Sequence, residues 1–422
     1  MIIKNSNLPE LNKFFKVLYK SKKKKSEARL GEINTVHGKI KTPSFVVVGT
    51  KGTIKGLLPS LLKDIGIQVA FVNTYHLVTH PGVEIIEKAG GIHLYSNLKI
   101  PLMSDSGGFQ VFSLARNKIE NSKFNLRFEE QKNDLKLKFK KEGEKLAVIK
   151  ISDDGVKFRS VFDGTILEFT PERSIEYQKK IGADIMMAFD ECISYGVDYE
   201  YTKKATERTH RWLIRCLKKH KSQMLNVKTQ TQNCKANQYL YGVIQGGRFE
   251  DLRKESAKFV VSQNTDGVAI GGVSVGESKK EMREQVSWVA SFLPKDRPVH
   301  LLGVGEFDDI FDLVKYGIDT FDCVEPTRLA RMGVLYKLKF KSQELKFSWE
   351  KIDILRGYYR SDLSKIDENC NCFVCQSFTK SYLHHLFKNR ELLAYTLATY
   401  HNLFVMERFF NWIRKLIEKD LI

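Results

Sequence analysis

The chain has 422 residues, with 69 basic and 50 acidic side chains and a net charge of +19. No apolar run approaches the roughly 20 residues of a membrane-spanning helix. The N-terminal MIIKNSNLPELNKFF lacks the basic-then-apolar layout of a secretory signal, so a cytoplasmic protein is expected.

Residues 1–27 read as a basic N-terminal arm. Ala28–Thr35 and Gly38–Pro43 have the pattern of a small hairpin. Eight short apolar segments follow: Phe45–Gly49, Gln68–Thr74, Pro101–Asp105, Asp184–Asp190, Tyr239–Gly246, Gly267–Gly272, Val299–Gly305 and Asp319–Pro326. Most are rich in Val, Ile, Leu or Phe and are bounded by Gly, Pro or charged residues, which predicts buried strands. Longer charged segments with helical spacing separate most of them. Eight buried parallel strands with helical crossovers predict a (β/α)8 barrel over residues 28–345, in which the C-terminal ends of the strands share one site. Residues 117–147 are highly charged and read as an insertion. Leu146–Ser152 and Gly155–Phe162 alternate like an antiparallel pair. Residues 218–237 read as a loop, and Ser348–Arg360 as irregular. From Ser381 to Ile422, Leu403, Met406, Phe410, Ile413 and Ile417 recur at helical spacing. Residues 346–422 are therefore expected to form a helical subdomain packed on the barrel.

The excess of basic residues suits a phosphate-bearing partner, and equally a lysine-rich composition. Lys22–Lys25 and Lys138–Lys141 fit solvated surface as well as RNA. Of the seven cysteines, Cys370, Cys372 and Cys375 fall within six residues. Three thiolates at that spacing predict one zinc ion, since thiolate is a preferred soft ligand for Zn2+. His384, His385 and His401 are the downstream candidates for a fourth ligand. Four protein ligands leave no open position, so the zinc is expected to be structural.

Five strand ends carry chemistry. Ser104-Asp105-Ser106-Gly107-Gly108-Phe109-Gln110 supplies a carboxylate, glycine backbone and an aromatic face. Phe189-Asp190-Glu191-Cys192, Gln245-Gly246-Gly247, Gly271-Gly272-Val273-Ser274-Val275-Gly276-Glu277 and Phe321-Asp322-Cys323 supply acids, an amide and more glycine backbone. A lone strand-end aspartate is commonly a helix cap. Five such segments at strand ends suit a planar heterocycle with several hydrogen-bonding edges. Cys192 and Cys323 read as small pocket-wall residues.

DSGGFQ, FDEC, VIQGG, GGVSVGE, HLLGVGE, FDCVEPTRLAR and the CxCxxC…H set occur in the order found in tRNA-guanine transglycosylases. The chain resembles that family, in its bacterial form, over residues 28 to 415. The resemblance implies exchange of guanine at wobble position 34 of GUN-anticodon tRNAs for a 7-deazaguanine, with preQ1 favoured over queuine. It implies Asp322 as nucleophile and Asp105 as general acid/base. Ser106, Gly107, Gly108, Phe109, Asp190, Gln245, Gly272 and Val273 would bind the base. Gly303, Val304, Gly305, Glu306, Phe307, Asp308 and Asp309, with Thr327, Arg328, Leu329, Ala330 and Arg331, would meet the anticodon loop. The family pattern selects His401 as the fourth zinc ligand and implies a homodimer. It also treats Asn73-Thr-Tyr-His76 as structural. Leu302, Ser274, Glu325 and Met332 depart from the usual bacterial residues around the base and RNA loop. A non-catalytic partner subunit is the competing reading, but such relatives lose the strand-end aspartates.

Overall fold

The computed structural model describes residues 13–108, 148–160, 163–227, 238–341 and 345–422. Three antiparallel strands come first: β1 (Phe15–Lys20), β2 (Arg29–Thr35) and β3 (Gly38–Thr42). The expected hairpin is β2–β3. The first strand was not foreseen, because Phe15–Lys20 carries two lysines and sits in what reads as an arm.

Eight strands close the barrel: β4 (Ser44–Val48), β5 (Ala70–Val72), β6 (Leu102–Ser104), β10 (Ile185–Met187), β11 (Tyr239–Ile244), β12 (Gly267–Ile270), β13 (Val299–Leu301) and β14 (Thr320–Cys323). All eight pairings are parallel, and β14 closes on β4. Seven of the predicted apolar segments contain one of these strands, and Phe45–Gly49 overlaps β4, which starts one residue earlier. The period of two divides the strands into faces. Val46, Phe71, Met103, Ile185, Met187, Val243 and Ala269 fill the barrel. Phe45, Val47, Ile270, Leu301 and Phe321 face the surrounding helices.

The β1–β3 sheet plugs the bottom of the barrel, with Phe15, Ile33 and Ile40 packed into the same inner cluster. Polar contacts to buried aspartates pin the plug. Arg29 Nη2 lies 2.6 Å from Asp319 Oδ2. His37 Nδ1 lies 2.8 Å from Asp184 Oδ1, and its ring stacks on His93. Asp319 also accepts from the Val299 amide at 2.8 Å. It belongs to the foot of its strand, opposite the end that carries Asp322.

Between β6 and β10 lies a second antiparallel sheet: β7 (Val148–Ser152), β8 (Gly155–Arg159) and β9 (Ile166–Phe169). The expected pair is β7–β8; the third strand is an addition. Phe158 and Phe169 of this sheet pack with Tyr75 and Phe189 beside the barrel mouth. The 117–147 insertion lies outside the described residues.

Two readings are corrected. Residues 218–227 continue the helix Tyr199–Val227. Lys218, Lys221 and Ser222 are exposed, on a helix already anchored by Trp212, Leu213 and Cys216. Residues 348–353 belong to a hairpin of β15 (Val334–Lys341) and β16 (Lys346–Asp353). The exposed alternate positions of β16 are charged or small, which hid the pattern. The C-terminal helices are Lys380–Lys388 and Leu392–Glu418. Among the described residues no helix is long and apolar enough to cross a membrane.

Candidate active site

The ends of β6, β10 and β14 bring Asp105, Asp190 and Asp322 to the same mouth of the barrel. Asp105 accepts hydrogen bonds from the Thr74 amide at 2.7 Å and the Gly107 amide at 3.1 Å, and from the Asn73 side chain. Burial nevertheless pushes its carboxyl up to about 7, and the charges of Asp190 and Asp322 push the same way. The charges of the other two carboxylates thus reach Asp105 across the barrel mouth.

Asp190 is buried and accepts from Ser106 Oγ at 3.0 Å and from Gln245 Nε2 at 2.7 Å. Burial raises it to about 6, against the pull of those two donors. Gln245 Oε1 is buried and has no hydrogen-bond partner among the described residues. A buried orphan acceptor calls for a donor from a ligand or from water. Gly108 is required by close approach, since a Cβ there would lie 2.6 Å from the Asp190 carbonyl oxygen. Gly272 has φ +62°, and a Cβ would meet Gln245 Oε1 at 2.4 Å. The Gly272 amide faces the Cys192 thiol, which burial pushes up to about 12. Cys323 lines a cavity, and its thiol is also pushed up to about 12 by burial. Val273 is buried beside them. Phe109 lies outside the described residues.

Asp322 Oδ1 accepts from the Gly303 amide at 3.0 Å and lies 3.2 Å from His300 Nε2. A further cavity of about 270 Å³ opens beside it, lined by Ser274, Lys279, Gly303, Glu306, Cys323 and Glu325 among others.

The loops expected to meet RNA divide by burial. Val304, Phe307, Asp309, Thr327 and Ala330 have buried side chains. Asp309 is ion-paired with Arg283 at 2.6 Å, and Phe307 packs on Tyr336 and Phe409. They support the loops from inside. Gly305 is buried against Cys323. Glu306 is held by Lys279 and Lys351, and Asp308 accepts from Trp349 Nε1 at 3.1 Å. Gly303 and Arg328 are exposed, while Leu329 and Arg331 are half-buried.

Several residues were missed. Lys51 and Lys55, from the loop after β4, join Arg328 and Arg331 in one basic cluster. Burial and the charges of Arg331, Lys51 and Arg328 hold Lys55 below its usual range. His76 is depressed by burial and by Lys51 and Lys55. Arg253 is fully buried and ties two strand-end loops together. It donates to the carbonyls of Gly247, Gly271 and Gly272 at 2.6, 3.1 and 2.5 Å. Its place in a helical segment, Glu250–Ser262, gave no signal. Asn73 did give one, since it ends the second predicted strand.

Cys370, Cys372, Cys375 and His401 form a buried cluster. His401 Nδ1 lies 4.0, 3.5 and 3.3 Å from the three sulfurs. A tetrahedral ion with metal–sulfur bonds of about 2.3 Å and a metal–nitrogen bond of about 2.0 Å sets those pairs roughly 3.6 Å apart, so the four residues fit one metal. His401 Nε2 donates to the Tyr336 carbonyl at 2.7 Å, which fixes the ring toward the sulfurs. His384 Nδ1 is taken by the Ile354 carbonyl at 2.8 Å, and His385 sits by Asn389.

Three carboxylates gathered at the mouth of a closed barrel define a class: a barrel protein with its polar groups collected at the C-terminal strand ends, where barrel enzymes carry their sites. Sequence comparison narrows the class. The family model for queuine tRNA-ribosyltransferase matches residues 23–142 and 141–422. The chain is 42% identical over 409 residues to the queuine tRNA-ribosyltransferase of Protochlamydia amoebophila, covering 97% of this chain and 96% of that protein. It is 41% identical over 399 residues to that of Thermoanaerobacter pseudethanolicus, covering 94% and 92%. A putative queuine tRNA-ribosyltransferase of Archaeoglobus fulgidus is 40% identical over 395 residues, covering 92% and 93%. The chain belongs to the queuine tRNA-ribosyltransferase family and is a pentosyltransferase.

Proposed function

We propose that this enzyme exchanges guanine at wobble position 34 of GUN-anticodon tRNAs for a 7-deazaguanine, by two displacements at one carbon. The observation that supports the reading is the gathering of Asp105, Asp190 and Asp322 at strand ends on one side of the barrel, close enough that the charges of the other two act on Asp105, with Asp322 Oδ2 holding no hydrogen bond among the described residues. In the first step the Asp322 carboxylate attacks C1′ as the bond to guanine breaks. Asp105, held near neutrality, gives a proton to the departing base. In the second step the incoming base attacks C1′, its proton passes to Asp105, and the bond to Asp322 breaks. Two inversions retain configuration.

Base recognition falls to Asp190 and Gln245, a carboxylate beside an orphan acceptor oxygen. That pair suits a guanine-like edge rich in N–H groups. Cys192 and Val275 resemble the bacterial enzymes that take preQ1, which we favour as the incoming base. The cluster of Lys51, Lys55, Arg328 and Arg331 supports an anionic partner, since neighbouring cations that depress one another gain from phosphate. Unstacked bases of a single-stranded loop are the parts of RNA most readily read by side chains. Zinc is the metal we assign to the Cys3His cluster, in a structural role. A homodimer is carried over from the family resemblance.

The test is exchange of labelled guanine into a GUN-anticodon tRNA. Wild type should incorporate label and form a tRNA adduct that survives denaturation. Asp322→Asn should do neither; label incorporated at the wild-type rate refutes the nucleophile.

A further inference from the structure

We infer that His300 is a positioning residue that directs attack through Asp322 Oδ2 and speeds release of the covalent intermediate. The inference rests on Asp322 as the nucleophile and deepens that reading.

The strands dictate the arrangement. In the β13–β14 pairing His300 stands opposite Thr320, and Leu301 opposite Phe321. Leu301 and Phe321 belong to the outer cluster. The period of two therefore turns His300, Thr320 and Asp322 inward. His300 is fully buried, with the Phe71 ring stacked beside it at 5.8 Å. Its Nε2 lies 3.2 Å from Asp322 Oδ1, and its Nδ1 lies 2.9 Å from Thr320 Oγ1. A carboxylate only accepts, so the hydrogen sits on Nε2. In that tautomer the Thr320 hydroxyl donates to Nδ1 and holds the ring in place.

Gly303 N–H donates to the same oxygen, Oδ1, at 3.0 Å. Both donors thus converge on one oxygen of the carboxylate. The lone pairs of Oδ2 remain available for C1′. When Oδ2 bonds to C1′, the pair from the broken glycosidic bond leaves with guanine. Oδ1 then becomes the carbonyl oxygen of a glycosyl ester, already facing two N–H groups. In the second displacement the C1′–Oδ2 pair returns to the carboxylate, and negative charge spreads onto Oδ1. Preorganised donors aimed where charge develops favour that departure. The same donors slightly temper the first attack, so their effect is concentrated in the release step.

The test measures the two steps separately. Adduct is formed on GUN-anticodon tRNA, chased with saturating guanine and followed on denaturing gels. His300→Leu should slow adduct decay by about 10- to 100-fold, below the full loss of an oxyanion-hole donor because Gly303 remains. Adduct should then accumulate at steady state, with kcat and KM for tRNA falling together and kcat/KM for tRNA unchanged. His300→Gln, which places an amide N–H near the Nε2 position, should restore decay to within a few-fold. If His300→Leu does not fold, Thr320→Val serves, and should slow the same step more mildly. Equal slowing of formation and decay, or no change in decay, overturns the inference. Adduct formation by Asp322→Asn would instead overturn the nucleophile assignment itself.

Discussion

Asp190→Asn should make the free enzyme more stable while destroying its function. The wild-type carboxyl is buried between two neutral donors, Ser106 and Gln245, and burial raises it from an ordinary 3.8 to about 6. A raised acid binds more protons folded than unfolded, so its ionisation costs stability as pH rises from about 4 through 6. Below both values the cost vanishes. The shift of roughly two units corresponds to about 3 kcal/mol at pH 8, falling to about 0.5 kcal/mol at pH 4. Asparagine has nearly the same shape and keeps both neighbours bonded if the Gln245 amide turns over. The variant should therefore gain up to about 3 kcal/mol at pH 8, a gain that shrinks steadily on acidification. Urea denaturation at pH 4, 6 and 8, with unchanged m-values, gives the difference directly. Asp105 titrates in both proteins, and loss of the Asp190 charge lowers it, which adds to the gain in the same direction. Guanine exchange should fall by at least about 100-fold, because the N–H edge of the base loses a charged acceptor. A variant that is less stable at pH 8, or a gain independent of pH, would refute the idea that this site stores the cost of an ionised carboxylate.

Cys372→Ser should lower metal content per chain, measured by elemental analysis, and lower stability by several kcal/mol, since metal binding is coupled to folding. Unchanged stoichiometry would count against the four-ligand site. Lys55→Ala should weaken tRNA binding and reduce the magnitude of the log–log salt slope by about 0.7 to 0.9, the share of one phosphate contact. A slope equal to wild type would remove Lys55 from the RNA face.

The barrel was legible because its strands are buried on both faces and so read as apolar runs. The site was legible where chemistry sits at strand ends, as with Asp105, Asp190, Gln245 and Asp322. Three kinds of residue escaped. His300 is a polar side chain at an inward position of a three-residue strand, and only the register with Thr320 reveals what it faces. Arg253 acts through a helix whose spacing says nothing about its guanidinium. Lys51 and Lys55 gain meaning only when distant Arg328 and Arg331 are brought beside them. The loops expected to meet RNA are a different case. Motif positions were taken together, while burial separates Val304, Phe307, Asp309, Thr327 and Ala330 from the rest. Charge alone also hides a contrast between the two barrel ends. Asp184 and Asp319 at the foot face histidines or arginine, whereas Asp105 and Asp190 at the mouth are held by neutral donors.

The helix Leu392–Glu418 performs two unlike tasks with consecutive residues. His401 closes the metal cluster, while Asn402 grips the carbonyls of Pro326 and Val334 at 3.1 and 3.0 Å and the Tyr336 amide at 3.0 Å. Pro326 opens the short helix that carries Arg328 and Arg331. The helix thus works as a gauge: adding or deleting one residue ahead of position 401 would swing both side chains by about 100°. Ion and arginines would lose their common reference at once, so length variation in this region is tolerable only before Leu392 or after the last packed turn.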